Sequence, residues 1–359
     1  MPGAAGGVKP GHPIISPDMP AITASARESR AAARLAFARA SSGDPALELE
    51  RASEDASARS YWRAHTAQGS AIVMDAPPGE GNLDAWLDVD ARLRSAGINA
   101  PEVLAEDRAQ GFLLLSDLGT HPYLSELNDA SADALYADAL QALLTIQTRI
   151  DPHGLPHFDE PFVVRELELM PTWFLQRHLG IAIECDEWDI IEVAFRLLVD
   201  NAQRQPQTFM HRDYHSRNLM RVPGHNPGVV DFQDAVLGPI TYDLASLVRD
   251  CYIRWDDARA RGWAEAHRQR LIDAGALDPR IDAARWQRWF DLTGLQRHLK
   301  VLGIFCRLWY RDGKRGYLAD LPRVWHYVRG VASGYPELRD FLALLERRVG
   351  DRDLTEPAA

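Results

Sequence analysis

Lysine is almost missing. Of 40 basic residues only Lys9, Lys300 and Lys314 are lysines, so between 9 and 300 arginine is the only permanent side-chain cation. Any site in that interval that calls for an ammonium must do without one. Cysteine is scarce as well. Cys185, Cys251 and Cys306 stand far apart and form no C-x-x-C pair, so they are expected to be buried thiols in a reducing compartment, with the cytoplasm as default. No apolar run reaches the roughly 20 residues that span a bilayer. The net charge of −11 and pI of about 5.6 give no general attraction to nucleic acid or to an anionic membrane. No internal repeat occurs. Residues 1–23, "MPGAAGGVKPGHPIISPDMPAIT", are rich in Gly and Pro and carry no apolar segment of the signal-peptide kind, so a disordered tail is expected.

What is present is a chain of 359 residues, 46% of them hydrophobic, enough for one large domain or two lobes. "SARESRAAARLAFARAS" is Ala- and Arg-rich without a breaker and predicts a helix. "ALELERAS", "ARSYWRAHT" and "SAIVMDA" predict three strands joined by small polar turns. "LDAWLDVDARLRSAG" has an apolar stripe at helical spacing and a Gly stop. "EVLAED" and "GFLLLSDLG" predict two more strands. Residues 46–118 therefore read as a small antiparallel sheet plus one helix. Helical periodicity dominates from about 129 to 204 and from 240 onward. Between these stretches lie "TFMHRDYHSRNLMRV" and "PGVVDFQDA", two short β-type pieces. The expected architecture is α+β. An N-terminal lobe covers 24–118 and a mainly helical lobe covers 119–350, with a ligand cleft between them.

The polar cluster "HRDYHSRNLM" starts at His211. A hairpin with arms at 219–222 and 228–230 would bring Asn218 and Asp231 together at its open end. Their hard oxygens suit Mg²⁺, leaving Asp213 free to accept a proton from an attacking hydroxyl. The order His211, Asp213, Asn218, Asp231 is the H-x-D-x-x-x-x-N layout of phosphoryl transfer, followed by an Asp at a strand end. A second reading makes His211, Asp213 and His215 ligands of a zinc-like ion. A third is a satisfied polar loop. His211 is expected to act structurally, through hydrogen bonds to backbone. For Arg212, Arg217 and His215, contact with phosphate or substrate and plain exposure to solvent both stay open.

The motifs "HRDYHSRNLM", "GVVDFQDAVLGPITYDLASLVRD" and the hinge-like "LLLSDLG" resemble those of the aminoglycoside phosphotransferase/choline kinase family, a branch of the protein-kinase-like fold, over about residues 30–345. "DFQDAVLGPITYDLASLVRDCY" with "LQRHLKVLGIFCRLWYRDGKRGYLADLPR" is similar, more narrowly, to bacterial anomeric kinases of cell-wall sugar recycling. Those act on the C1 hydroxyl of N-acetylmuramate and N-acetylglucosamine. The resemblance implies an ATP-dependent kinase of a small amino sugar, with Asp213 as catalytic base and Asn218 and Asp231 holding Mg²⁺; a monomer is expected. It also implies that Ser116, Asp117 and Leu118 offer backbone groups to adenine. Asp243 would brace the catalytic loop, unless it merely caps its own helix.

One departure stands out. Kinases of this fold carry a strand lysine that grips phosphates, and here Met74 stands near its place. Arg59 or Arg63 is expected to supply the charge. Without a G-x-G-x-x-G loop, Ser57 and Ala58 would have to let backbone amides approach phosphate. The departure also admits a nucleotide-binding pseudokinase, and the family spans choline-like and aminoglycoside substrates. On the substrate side, Arg297, Lys300, Arg307 and Arg311 share one helix face that suits an anion such as a lactyl carboxylate, or is simply solvated. Asp250, two helical turns beyond Asp243, is expected to accept sugar hydroxyls. The Trp and Tyr residues of "CRLWYRDGKRGY" would stack on the sugar or pack.

Overall fold

The computed structural model describes residues 24–52, 59–66, 69–79 and 82–357. The tail at 1–23 and the loop residues Ser57 and Ala58 lie outside the described residues.

In the first lobe β1 (Leu49–Arg51), β2 (Ser60–Thr66), β3 (Gly69–Asp75), β4 (Val103–Asp107) and β5 (Phe112–Ser116) form one antiparallel sheet in the order β1-β2-β3-β5-β4. Side chains alternate across a strand, so β3 serves two faces. Ala71 and Val73 join a core beneath helix α1 (Ala24–Ser42), while Ile72 and Met74 face the other side. Helix α1 has few large apolar side chains, and arginines do much of its docking. Arg30 and Arg34 converge on Asp75 at 2.7 and 2.8 Å. Their guanidinium groups also lie over the rings of Phe112 and Trp62, at 4.0 and 3.7 Å. Helix α2 (Leu83–Ser95) is started by Asn82, whose side chain accepts from the Ala85 amide. It reaches the second lobe through Trp86, whose ring centre lies 5.0 Å from that of Phe232.

The second lobe is mainly helical. It runs through α3 (Tyr123–Glu126), α4 (Ala132–Arg149), α5 (Glu160–Leu167), a π-helical segment (Met170–His178) and α6 (Cys185–Gln203). After the β insert come α7 (Tyr242–Val248), α8 (Asp257–Asp273), α9 (Ala283–Asp312), α10 (Leu321–Ala332) and α11 (Arg339–Val349). At 30 residues α9 is about 45 Å long and forms the central column. The π segment comes so close to it that a Cβ on Gly303 would stand 2.2 Å from the Leu169 carbonyl oxygen.

The β insert is richer than the sequence pattern indicates. The expected hairpin exists as β7 (Leu219–Met220) and β8 (Gly228–Val229), with Leu219 opposite Val229. A second ribbon pairs β6 (Gln207–Met210) with β9 (Val236–Pro239). Strand β9 carries both Gly and Pro and shows no alternation, so only its partner identifies it. Together the ribbons hold both ends of the segment 211–218 and aim it at the cleft.

Candidate active site

The cleft holds a cavity of about 540 Å³ between the sheet and the helical lobe. Tyr61, Ile72, Leu115 and Phe232 give it an apolar slot, and Ser116, Asp117 and Leu118 line its edge. His215, Arg217, Asn218, Asp231, Tyr252 and Tyr317 line the opposite end.

The loop is held by two carboxylates that bind its backbone. Asp243, in the first turn of α7, accepts the amides of His211 at 2.7 Å and Arg212 at 2.9 Å. It braces the loop and does not cap its own helix. Burial raises its pKa to about 6, against the pull of His211 and the two amides. Asp250 holds the other half of the loop. Its two oxygens accept the Ser216 amide at 2.9 Å and the Tyr252 amide at 2.8 Å, and the residue is fully buried. This corrects the expectation that Asp250 receives sugar hydroxyls: backbone amides occupy both of its oxygens.

His211 is fully buried. Its Nε2 donates to the Val230 carbonyl at 3.1 Å and its Nδ1 accepts the Asp213 amide at 3.3 Å. Burial lowers its pKa, so the ring is neutral. With both nitrogens engaged it is no metal ligand. Among the described residues no group of three or more His, Cys, Asp or Glu side chains is arranged to hold an ion. The zinc reading of His211, Asp213 and His215 is therefore set aside. His215 is buried and edge-on to Tyr252, with ring centres 5.3 Å apart. Burial brings its pKa down to about 4.

Among the described residues two that are not glycine adopt left-handed backbone, Arg212 with φ 76° and Asp231 with φ 63°. Such residues cost energy and persist where surroundings enforce them. Here they bracket Asp213 and Asn218 along the chain. The Asn218 side-chain amide donates to the Asp213 carbonyl at 3.0 Å and to the Asp231 carboxylate at 3.3 Å. Its two N–H bonds are thereby used, and its carbonyl oxygen accepts nothing from the described residues. Asp231 is steadied by Gln233 at 2.8 Å. An amide oxygen beside a carboxylate is a hard donor pair, which fits Mg²⁺.

The Asp213 carboxylate accepts no hydrogen bond from the described residues. Burial pushes its pKa up, but Lys300, protonated His215, Arg212 and Arg297 together pull it well below the usual carboxylate range. At neutral pH, with His215 uncharged, the field comes from Lys300, Arg212 and Arg297. A hub holds two of these cations. Glu166 on α5 receives Arg212 at 2.8 Å, Lys300 at 3.0 Å and Gln296 at 3.2 Å. Lys300 also reaches the Tyr242 hydroxyl at 3.3 Å. Nothing in the sequence around "RELELM" marks Glu166, and only packing against α9 reveals it.

The expected basic face on α9 comes apart along its length. Arg297 and Lys300 are buried beneath the loop. Arg311, fourteen residues further on, is about 21 Å away along the axis. It is exposed and paired with neighbouring Asp312 at 2.8 Å. Neither Arg311 nor Arg307 lines the cavity, so the expected substrate contact at both is corrected: one helix face does not mean one place. Of the aromatics nearby, Tyr317 lines the cavity. Trp309 and Tyr310 pack on the helical core.

Arg63 is also reassigned. It forms a two-pronged pair with Asp117 at 2.6 and 3.2 Å and donates to the Gly119 carbonyl at 3.2 Å. It stiffens the connector and is not available to grip phosphate. Asp117 in turn accepts the Gly119 amide at 2.9 Å. Arg59 immediately precedes β2, at the end of the sheet away from this connector. Met74 is fully buried in the core that includes Trp86.

Residues 48–295 match the model of a phosphotransferase enzyme family. A Pseudomonas putida protein named N-acetylmuramate/N-acetylglucosamine kinase is 42% identical, over 86% of this chain and 91% of its own. A Pseudomonas aeruginosa protein of the same name is 43% identical, over 84% of this chain and 88% of its own. The solved structure of a Plasmodium vivax ethanolamine kinase superposes with a TM-score of 0.60 at 10% identity, covering 86% of this chain and 89% of that one. The fold is the protein-kinase-like two-lobed α+β fold.

Proposed function

The chain belongs to the phosphotransferase enzyme family, and from that premise we propose that it transfers the γ-phosphate of ATP to the anomeric hydroxyl of an amino sugar, N-acetylmuramate or N-acetylglucosamine. The observation that carries this reading is Asp213, a carboxylate with no protein hydrogen bond among the described residues, on the loop that also carries Asn218. Likeness to the two Pseudomonas kinases over most of both chains supports the choice of sugar.

In the mechanism Asp213 orients the attacking hydroxyl. An anomeric hydroxyl is more acidic than an ordinary alcohol because the ring oxygen withdraws electrons. Asp213, with its depressed pKa, is a weak base. It takes the proton late, as suits a loose transition state in which positioning and charge matter most. Asn218 and Asp231 would hold Mg²⁺, which when bound neutralises charge on the phosphates. Adenine fits the slot of Tyr61, Ile72, Leu115 and Phe232, against the connector at Ser116, Asp117 and Leu118. The Leu118 amide supports this, since it donates to none of the described residues. Arg59 is the proposed replacement for the strand lysine.

ADP release, coupled to a visible reaction, tests the proposal across N-acetylmuramate, N-acetylglucosamine, choline and an aminoglycoside. Turnover with either amino sugar and product phosphorylated at C1 is expected. Turnover confined to choline or the aminoglycoside, or none at all, would overturn it.

A further inference from the structure

Resting on that kinase reading, we propose that Arg217 reads the carboxylate that distinguishes N-acetylmuramate from N-acetylglucosamine. The two sugars share the ring and the acetamido group. Muramate adds a lactyl ether at O3, ending in a carboxylate. A discriminating enzyme needs a cation near the sugar that no protein acid already holds.

Arg217 meets that description. It lines the cleft, four residues after Asp213 and next to Asn218. Its guanidinium lies 3.6 Å over the Tyr252 ring and 5.6 Å from the centre of the Tyr317 ring. Phe305 backs both tyrosines, at 5.9 and 5.2 Å between centres. A guanidinium stacked in this way keeps its charge, and its N–H groups point along its own plane, the geometry that binds a carboxylate through two parallel hydrogen bonds. Arg217 itself is exposed and makes no hydrogen bond or ion pair with the described residues, although acids are near. Asp320 is within its field but pairs with Arg323 at 2.5 Å. Asp250 is occupied by the Ser216 and Tyr252 amides. The aromatic wall thus orients a cation whose donors are unused, in the part of the cleft where the sugar would sit.

The test is the ratio of kcat/KM for N-acetylmuramate to that for N-acetylglucosamine, in wild type and in Arg217→Lys, Arg217→Gln and Arg217→Glu. Muramate preference should fall by about tenfold in the Gln variant and further in the Glu variant, with Lys between wild type and Gln. The change should appear in KM for muramate. An unchanged ratio with both sugars impaired, or a raised KM for ATP, would overturn the proposal and assign Arg217 to phosphate. Wild-type turnover of neither sugar would instead remove the kinase reading on which it rests. Thermal unfolding of each variant checks folding, and the exposed position should leave it unchanged.

Discussion

Lys300 and Glu166 form a buried ion pair at 3.0 Å directly below the loop that carries Asp213. The lysine missing from the strand lobe thus has a counterpart in the helical lobe, where its charge acts on the Asp213 carboxylate. Because Arg212 and Gln296 share the same glutamate, removing either partner leaves an uncompensated charge in the interior. Lys300→Met should cost about 3–5 kcal/mol in urea unfolding. The double variant Lys300→Met, Glu166→Gln should cost less than the two single changes added together. Strict additivity would show that the pair is not coupled. Lys300→Met should also move the acid limb of the kcat/KM profile to higher pH, because it removes the largest cation in the field of Asp213.

Asp213→Ala should lower kcat by about 10²–10⁴-fold, the range for losing a positioned acid–base group. Some stability should be lost as well, because the ionised carboxylate balances the buried cations Lys300, Arg212 and Arg297. Near-wild-type turnover would remove Asp213 from the chemistry. A large fall in melting temperature would give it a structural role.

Asp231→Ala should abolish most activity, on the order of 10²-fold or more, with partial recovery at high Mg²⁺. Asn218→Ala should raise the Mg²⁺ concentration for half-maximal activity and also loosen the loop, since its amide ties Asp213 to Asp231. A Mg²⁺ titration of each variant, beside its unfolding curve, separates the two effects. An unchanged Mg²⁺ requirement in both variants would argue against this donor pair.

Arg59→Ala should raise KM for ATP by about tenfold. Arg63→Ala should do the reverse in emphasis. Its pair with Asp117 is 14% and 4% exposed, so its loss should destabilise the connector by about 1–3 kcal/mol. If Arg63→Ala alone weakened ATP binding, the nucleotide charge would belong to Arg63.

Acid should unfold this protein early. His267 and His298 are fully buried, and burial takes each from the usual 6.5 to about 3; His215 goes to about 4. Each stays neutral in the fold but binds a proton once unfolded. Their stabilising effect is therefore complete above pH 6.5 and is lost as pH falls toward 3, by up to about 1.4 kcal/mol per pH unit for each. Asp90 and Asp243, raised by burial to about 7 and about 6, oppose this between pH 3.8 and those values, because their stabilising effect is lost as pH rises. Together they offset roughly two histidines. The urea midpoint should fall from pH 7 to pH 5, and His267→Gln should flatten the slope.

Much of the fold was legible because it is local. The alternation of Ala71, Val73 and Asp75 against Ile72 and Met74 is written in β3, and the stripe of α2 in Leu83, Trp86, Leu87 and Leu93. The pairing of β7 with β8 could be read from a turn between short β-type runs. Strand β9 could not, because a Gly–Pro end with no alternation becomes a strand only when β6 supplies its hydrogen bonds. The order Asp213, Asn218, Asp231 was legible for a related reason: a short loop and a short ribbon leave few ways to place them apart.

Roles that depend on distance through space were not legible. Sequence alone shows which charges exist, their order along the loop, and that no lysine lies between 9 and 300. Their partners come from the fold, which gives Arg63 to Asp117, Asp250 to two backbone amides, Lys300 to Glu166, and Arg311 to its surface neighbour Asp312. Helical spacing fixes an angle around an axis but not a position along it, and an ion pair forms only where burial and packing bring its members within about 3 Å. That is why Arg217, written into the loop like its neighbours, became a candidate reader of substrate only when Tyr252 and Tyr317 were found beside it.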